Sequence, residues 1–154
     1  MASLSYDEIF SDFLGSVTDY GLASIDIDDM YGLMTEYLHK TLSLSYVRRL
    51  FSSVVLDDTV QQITFELVNA VDDTSDVDFI KSILSKGMVV EWLKPQVRSK
   101  LNIAQFFGGK EQKYYAQANH LSELRGLLED TQLEMRKAIR DRGYIYNPYL
   151  KEDK

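Results

Sequence analysis

The chain has 154 residues, 45% of them hydrophobic and 27% charged, the size and make-up of one folded globular domain rather than of a disordered chain. A net charge of -7 and a pI near 4.8 argue against nucleic-acid binding as the primary function. With no cysteine, disulfides, thiolate nucleophiles, zinc knuckles and iron–sulfur ligation are excluded together.

Residues 1–10 have neither a basic n-region nor an apolar h-region, and no run approaches the roughly 18 apolar residues of a membrane span. Neither export by a standard signal nor membrane embedding is expected. Over residues 5–18, Tyr6, Ile9, Phe10, Phe13, Leu14 and Val17 recur at the spacing of one helix face. Ser5 with Glu8 predicts a capping box at its start, the Ser hydroxyl taking the Glu8 N–H while the carboxylate reaches back to the Ser5 N–H. A second helix is expected from Asp26 or Asp28, with Ile27, Met30, Tyr31, Met34, Leu38 and Leu42 along it and His39 and Lys40 in its last turn. Residues 45–51 read as one or two further turns, with Val47, Leu50 and Phe51 inward and Arg48 and Arg49 outward.

Residues 54–71 fit two periods. Ile63, Phe65 and Leu67 alternate with Thr64 and Glu66, whereas Val60, Ile63, Leu67 and Val71 also suit a helix. The alternation favours a short hairpin with Asp57 and Asp58 in its turn. After a polar break at residues 72–75, a helix carries Phe79, Ile80, Ile83, Leu84, Met88 and Leu93 on its apolar side. Gly87 within it costs about 1 kcal/mol against alanine and signals either close packing or a tolerated defect. Pro95 should kink the helix before it continues through Val97 and Leu101. A loop with Phe106, Phe107, Gly108 and Gly109 is expected over 102–110. Residues 111–142 then form the longest helix, with a seam of Tyr114, Ala118, Leu121, Leu124, Leu128, Thr131, Met135 and Ile139. At about 48 Å it exceeds what a domain of this size covers, so part of it should project or pack on another subunit. Gly143 suits a helix stop. The expected architecture is mainly α: a helical bundle over 1–143 with a long C-terminal helix and a short β-hairpin, then an extended aromatic tail over 144–154.

Charge is unevenly spread. Residues 1–80 carry 15 acidic and 3 basic side chains, and residues 81–154 carry 9 acidic and 14 basic ones. Such a chain can set an acidic face of one copy against a basic face of the next, although solvated helix faces would give the same counts.

Catalytic and cofactor signatures are thin, and no cofactor, metal site or catalytic residue is assigned. His39 and His120 lack a Cys or His partner at i+3 or i+4. Gly108, Gly109 and Lys110 fail the phosphate-loop pattern, because Glu111 stands where Ser or Thr belongs and no glycine lies five residues before Gly109. Asp26, Asp28 and Asp29 begin like a calcium loop, but Tyr31 and Tyr37 occupy its glycine and glutamate positions, so helix capping accounts for them better. Asp57, Asp58, Asp72 and Asp73 suit turns. Arg136, Lys137, Arg140 and Arg142 give the last helix a basic end, which complements the helix dipole or binds an acidic partner. Tyr144, Tyr146, Tyr149 and Leu150 make the tail too apolar for an unattached terminus, docked either on its own bundle or on another subunit.

The runs Tyr46-Val47-Arg48-Arg49-Leu50-Phe51, Gly87-Met88 with Glu91-Trp92-Leu93 and Pro95, Phe107-Gly108-Gly109-Lys110-Glu111-Gln112-Lys113, Gln117-Ala118-Asn119-His120-Leu121 and Arg140-Asp141-Arg142-Gly143-Tyr144 resemble head-tail connector, or neck adaptor, proteins of tailed bacteriophages. The resemblance covers most of the chain and rests on packing and assembly positions. It implies a non-enzymatic helical adaptor in the virion neck, made in the bacterial host cytoplasm and forming a ring, usually of twelve, beneath the portal protein. Its partners would be the portal, other neck or tail-completion proteins and further copies of itself, with DNA as cargo through a channel that the acidic N-terminal half could line. Phe106, Phe107, Arg136, Arg140, Arg142, Tyr144, Tyr146, Tyr149 and Leu150 are the expected partner or intersubunit contacts. A small non-catalytic binding or chaperone-like module, monomeric or dimeric, is the alternative reading, and an enzyme would need a deep polar pocket uniting distant carboxylates with a histidine.

Overall fold

The computed structural model describes residues 1–17, 26–106 and 111–145, with side-chain surroundings for 1–17, 26–98 and 121–142. The elements in chain order are β1 (Ala2–Ser5), α1 (Tyr6–Ser16), α2 (Ile27–Ser43), α3 (Ser45–Arg48), β2 (Phe51–Asp57), β3 (Gln62–Leu67), α4 (Asp73–Phe106) and α5 (Glu111–Ile145). The fold is mainly helical, with one small antiparallel sheet ordered β1-β3-β2 and a long C-terminal helix.

Helix α1 starts where the capping residues predict, the Glu8 N–H donating to Ser5 Oγ at 3.4 Å and the Ser5 hydroxyl facing the Glu8 carboxylate at 3.5 Å. Ser5 also ends β1, a strand that pairs Ala2 with Phe65 and Leu4 with Ile63. Helix α2 takes its cap from Asp26, whose carboxylate accepts the Ile27 N–H at 3.0 Å. The hairpin reading of residues 54–71 holds. In β3 the buried Ile63, Phe65 and Leu67 alternate with Gln62, Thr64 and Glu66, the period of a strand with one covered face. A bulge between Phe51 and Ser53 shifts the β2 register, and Ser52 Oγ donates to Glu66 O there at 3.1 Å. Asp57 closes the turn by accepting the N–H groups of Thr59 and Val60 at 3.0 and 3.2 Å, and Gln61 follows at φ 53°.

One core unites the layers. Tyr6, Ile9, Phe10 and Phe13 of α1 meet Met34, Leu38 and Leu42 of α2, the covered face of the sheet, and Ile80, Ile83, Leu84, Met88 and Leu93 of α4; Leu124 and Met135 bring in α5. Close packing explains Gly87. A Cβ there would stand 2.9 Å from Thr41 Oγ1 and closer still to the Thr41 methyl, so α2 and α4 touch where the side chain is missing.

Several expectations change. Phe51, read as part of a helical turn, opens β2, and Leu14, placed on the apolar stripe of α1, is 37% exposed. Helix α4 continues past Pro95 as expected but also runs through residues 102–106, so Phe106 ends a helix instead of sitting in a loop; residues 107–110 lie outside the described ones. Helix α5 runs through Gly143 to Ile145, two residues beyond the expected stop. Ile27, assigned to the apolar stripe of α2, is 65% exposed.

Candidate interaction surface

The described residues contain no group of three or more His, Asp or Glu side chains placed to hold a metal ion. Among them, no helix is long and apolar enough to cross a membrane. What they do form is a groove of about 640 Å³ between α3, the segment after β3 and the end of α5. Tyr46, Leu50, Val68 and Ile139 supply its apolar walls, with Asn69, Arg49, Arg136 and Arg140 around them.

The groove's chemistry follows from how these elements meet. Tyr46 leans on α5, its hydroxyl 4.0 Å from Met135 Sδ and its ring 5.4 Å beneath the Arg136 guanidinium. That stacking holds a cation over an aromatic face at modest energy, leaving its N–H groups for a second partner. Among the described residues no carboxylate pairs with Arg49 or Arg136, and Arg140 reaches only its neighbour Asp141, at 3.9 Å. Three guanidiniums among apolar side chains suit an acidic group carried beside an apolar one better than a bare anion.

Arg142 behaves differently. Its guanidinium pairs with Asp76 in the first turn of α4 and lies 4.4 Å over the Phe79 ring, and both charged side chains are below 10% exposed. It is committed within the chain, joining the last turn of α5 to the first turn of α4. Of the other contact residues expected from sequence, Arg136 and Arg140 line the groove. Phe106 and Tyr144 fall in α4 and α5 without described side-chain surroundings, and Phe107, Tyr146, Tyr149 and Leu150 lie outside the described residues.

A second polar cluster sits at the other end of the hairpin. Asp58 accepts the Tyr6 hydroxyl at 2.6 Å and meets His39 Nε2 at 2.9 and 3.0 Å. The Tyr6 and His39 hydrogen bonds hold the Asp58 carboxyl below its ordinary range, while burial first, and then Asp58, push the Tyr6 hydroxyl well above the usual tyrosine value. The cluster ties the hairpin turn to α1 and α2. His39 therefore has a structural partner, as helix-end histidines commonly do.

The acidic helix starts lie at this same end. The Tyr6 N–H donates to Gln61 O at 2.9 Å, the Tyr31 hydroxyl reaches Asp7 at 3.1 Å, and Ile27 and Asp28 share a shallow cleft with Gln61. Asp7, Glu8 and Asp12 of α1 line a further cleft beside Lys81, and Ser85 Oγ donates to Asp12 at 2.8 Å. Lys81 and Ser85 lie roughly opposite Asp76 and Phe79 around α4, so α1 and the end of α5 flank that helix on opposite sides.

Sequence reasoning identified Arg136 and Arg140 but not the groove. Tyr46, Arg49, Leu50, Val68, Asn69 and Ile139 come from segments far apart in the chain, and only the α3 position over Met135 brings them together. No family model, curated protein or solved structure matches the chain.

Proposed function

We propose that this protein is a self-assembling structural adaptor of the head-tail connector type, a subunit of a ring that sits beneath a bacteriophage portal and joins it to the neck or tail. One observation carries the reading: acidic and arginine-rich surfaces occupy opposite ends of the β2–β3 hairpin and opposite sides of α4. A chain with unlike faces on opposite sides assembles head to tail, and head-to-tail contacts close into rings when the rotation between copies permits. Helices α4 and α5, of 34 and 35 residues, reach about 50 Å each. They run past the shorter helices that pack on them and offer length for a second partner such as the portal. The acidic strip of α1 suits the wall of a DNA path, because like charge keeps a duplex from adhering.

The test is the mass of the purified protein, alone and mixed with purified portal, by light scattering followed by electron microscopy. A ring, or capture of many copies by portal, is the expected result. A persistent monomer that ignores portal overturns the adaptor reading and favours a small binding module.

A further inference from the structure

The groove at the base of the hairpin is lined by the apolar Leu50, Val68 and Ile139 and by the cationic Arg49, Arg136 and Arg140, and the same chain carries a surface of the converse kind. At the start of α2, Ile27 stands 65% exposed, flanked by Asp26, Asp28 and Asp29, all exposed. An aliphatic side chain flanked by three carboxylates complements, in apolar character and in sign, a groove that sets Leu50, Val68 and Ile139 beside Arg49, Arg136 and Arg140. A nucleic-acid backbone would use the arginines but leave Leu50, Val68 and Ile139 without a partner, so the lining favours a polypeptide.

The two surfaces cannot meet within one copy. Helix α2 has 17 residues, about 25 Å, between Ile27 and the turn that leads to Tyr46. A second ruler agrees: Gln61 beside Ile27 and Val68 in the groove sit at opposite ends of β3, whose six residues span about 20 Å. We infer that the first turn of α2 of one copy, with Ile27 as the apolar anchor, docks in the Arg49–Arg136–Arg140 groove of the next. This rests on the self-assembly reading above and specifies its interface. The contact is heterologous, donor to acceptor, so an open assembly keeps a free groove at one end and a free helix start at the other until the ring closes.

The absence of native cysteine makes the contact directly testable. Ile27→Cys protein and Val68→Cys protein are mixed under mild oxidation, and the disulfide-linked heterodimer is quantified by mass spectrometry against a mixture of Ile27→Cys with Val60→Cys. Val68 and Val60 are comparably exposed, at 62% and 64%, but Val60 lies at the hairpin turn. The expected result is about tenfold more heterodimer with Val68→Cys than with Val60→Cys. Introducing Asp28→Arg and Asp29→Arg into the Ile27→Cys chain should remove the excess, and Arg49→Glu with Arg136→Glu in the Val68→Cys chain should restore it. Restoration distinguishes a lost contact from a misfolded variant. Equal heterodimer yields in the two mixtures overturn the inference. So does an excess that appears only when residues 146–154 are deleted, which would make the chain's own tail the occupant. If the unmodified chain forms rings while the cysteine pairs show no preference, the interface fails and the adaptor reading stands; if it stays monomeric with and without portal, both fall.

Discussion

Gly87 shows how packing can reverse a local preference. In an isolated helix Gly87→Ala would gain about 1 kcal/mol. Here the added methyl meets Thr41, which is fully buried and holds its hydroxyl on Tyr37 O at 2.9 Å, so it cannot turn aside without losing that bond. Overpacking of this kind costs about 1–3 kcal/mol, and Gly87→Ala should lower the urea-unfolding free energy by about 1–2 kcal/mol. In a Thr41→Ala background the same change should be neutral or stabilising. Asp58 gives a different kind of test. Its carboxyl is held below the ordinary range in the folded chain, so it contributes stability above the unfolded carboxylate value and loses it as pH falls through the folded one. More than half of its side chain is in solvent, which limits the contribution to about 1 kcal/mol or less. Asp58→Asn should flatten the fall in unfolding midpoint between about pH 5 and pH 2. Tyr6→Phe should raise the Asp58 titration midpoint read from its carboxyl carbon by NMR, because the tyrosine hydrogen bond is the largest cause of the lowering.

Among the elements, legibility in the sequence tracks length and period. Helix α1 can be read from Ser5, Glu8 and a six-residue apolar stripe, and β3 from three alternating buried positions. Strand β1 could not be read, because four residues carry too little pattern and its register comes from β3. Pro95 stands inside α4 without ending it, since a helix packed along one side by α5 tolerates a missing N–H donor better than an isolated one. The Arg142–Asp76 pair was legible only as a basic helix end. Asp76 stands in the first turn of α4 and also accepts the Val71 N–H at 3.1 Å, while Arg142 stands near the end of α5, so each charge faces the favourable end of its own helix dipole. Removing Arg142 leaves the Asp76 carboxylate buried without its countercharge, with the Val71 N–H still donating to it, which costs about 3–5 kcal/mol. Arg142→Met should therefore destabilise the chain by that order. Adding Asp76→Leu should recover part of the loss, less the Val71 hydrogen bond, in a double-mutant cycle followed by circular dichroism.

At the scale of the whole molecule, the uneven charge of the sequence becomes a spatial separation. The sequence carries the two signs in different halves, but Arg49 belongs to the acidic half and Lys81 to the basic one, so the halves alone do not define the surfaces. The fold sorts them: α3 brings Arg49 to the end of α5, and α4 sets Lys81 among the carboxylates of α1. Assembly through such surfaces should weaken with salt, because exposed charges more than a few ångströms apart are screened over a Debye length of about 10 Å at 0.1 M and about 3 Å at 1 M. The core of the chain is apolar, and the deeply buried Arg142–Asp76 pair is shielded from bulk salt. Raising sodium chloride from about 0.05 to about 1 M should therefore shift light-scattering mass toward the single chain while the thermal midpoint of unfolding at low protein concentration changes little. If mass and midpoint fall together, folding itself depends on the contact between copies. If neither moves, the interface is an apolar one built elsewhere on the molecule, and the long α4–α5 hairpin becomes the surface to examine.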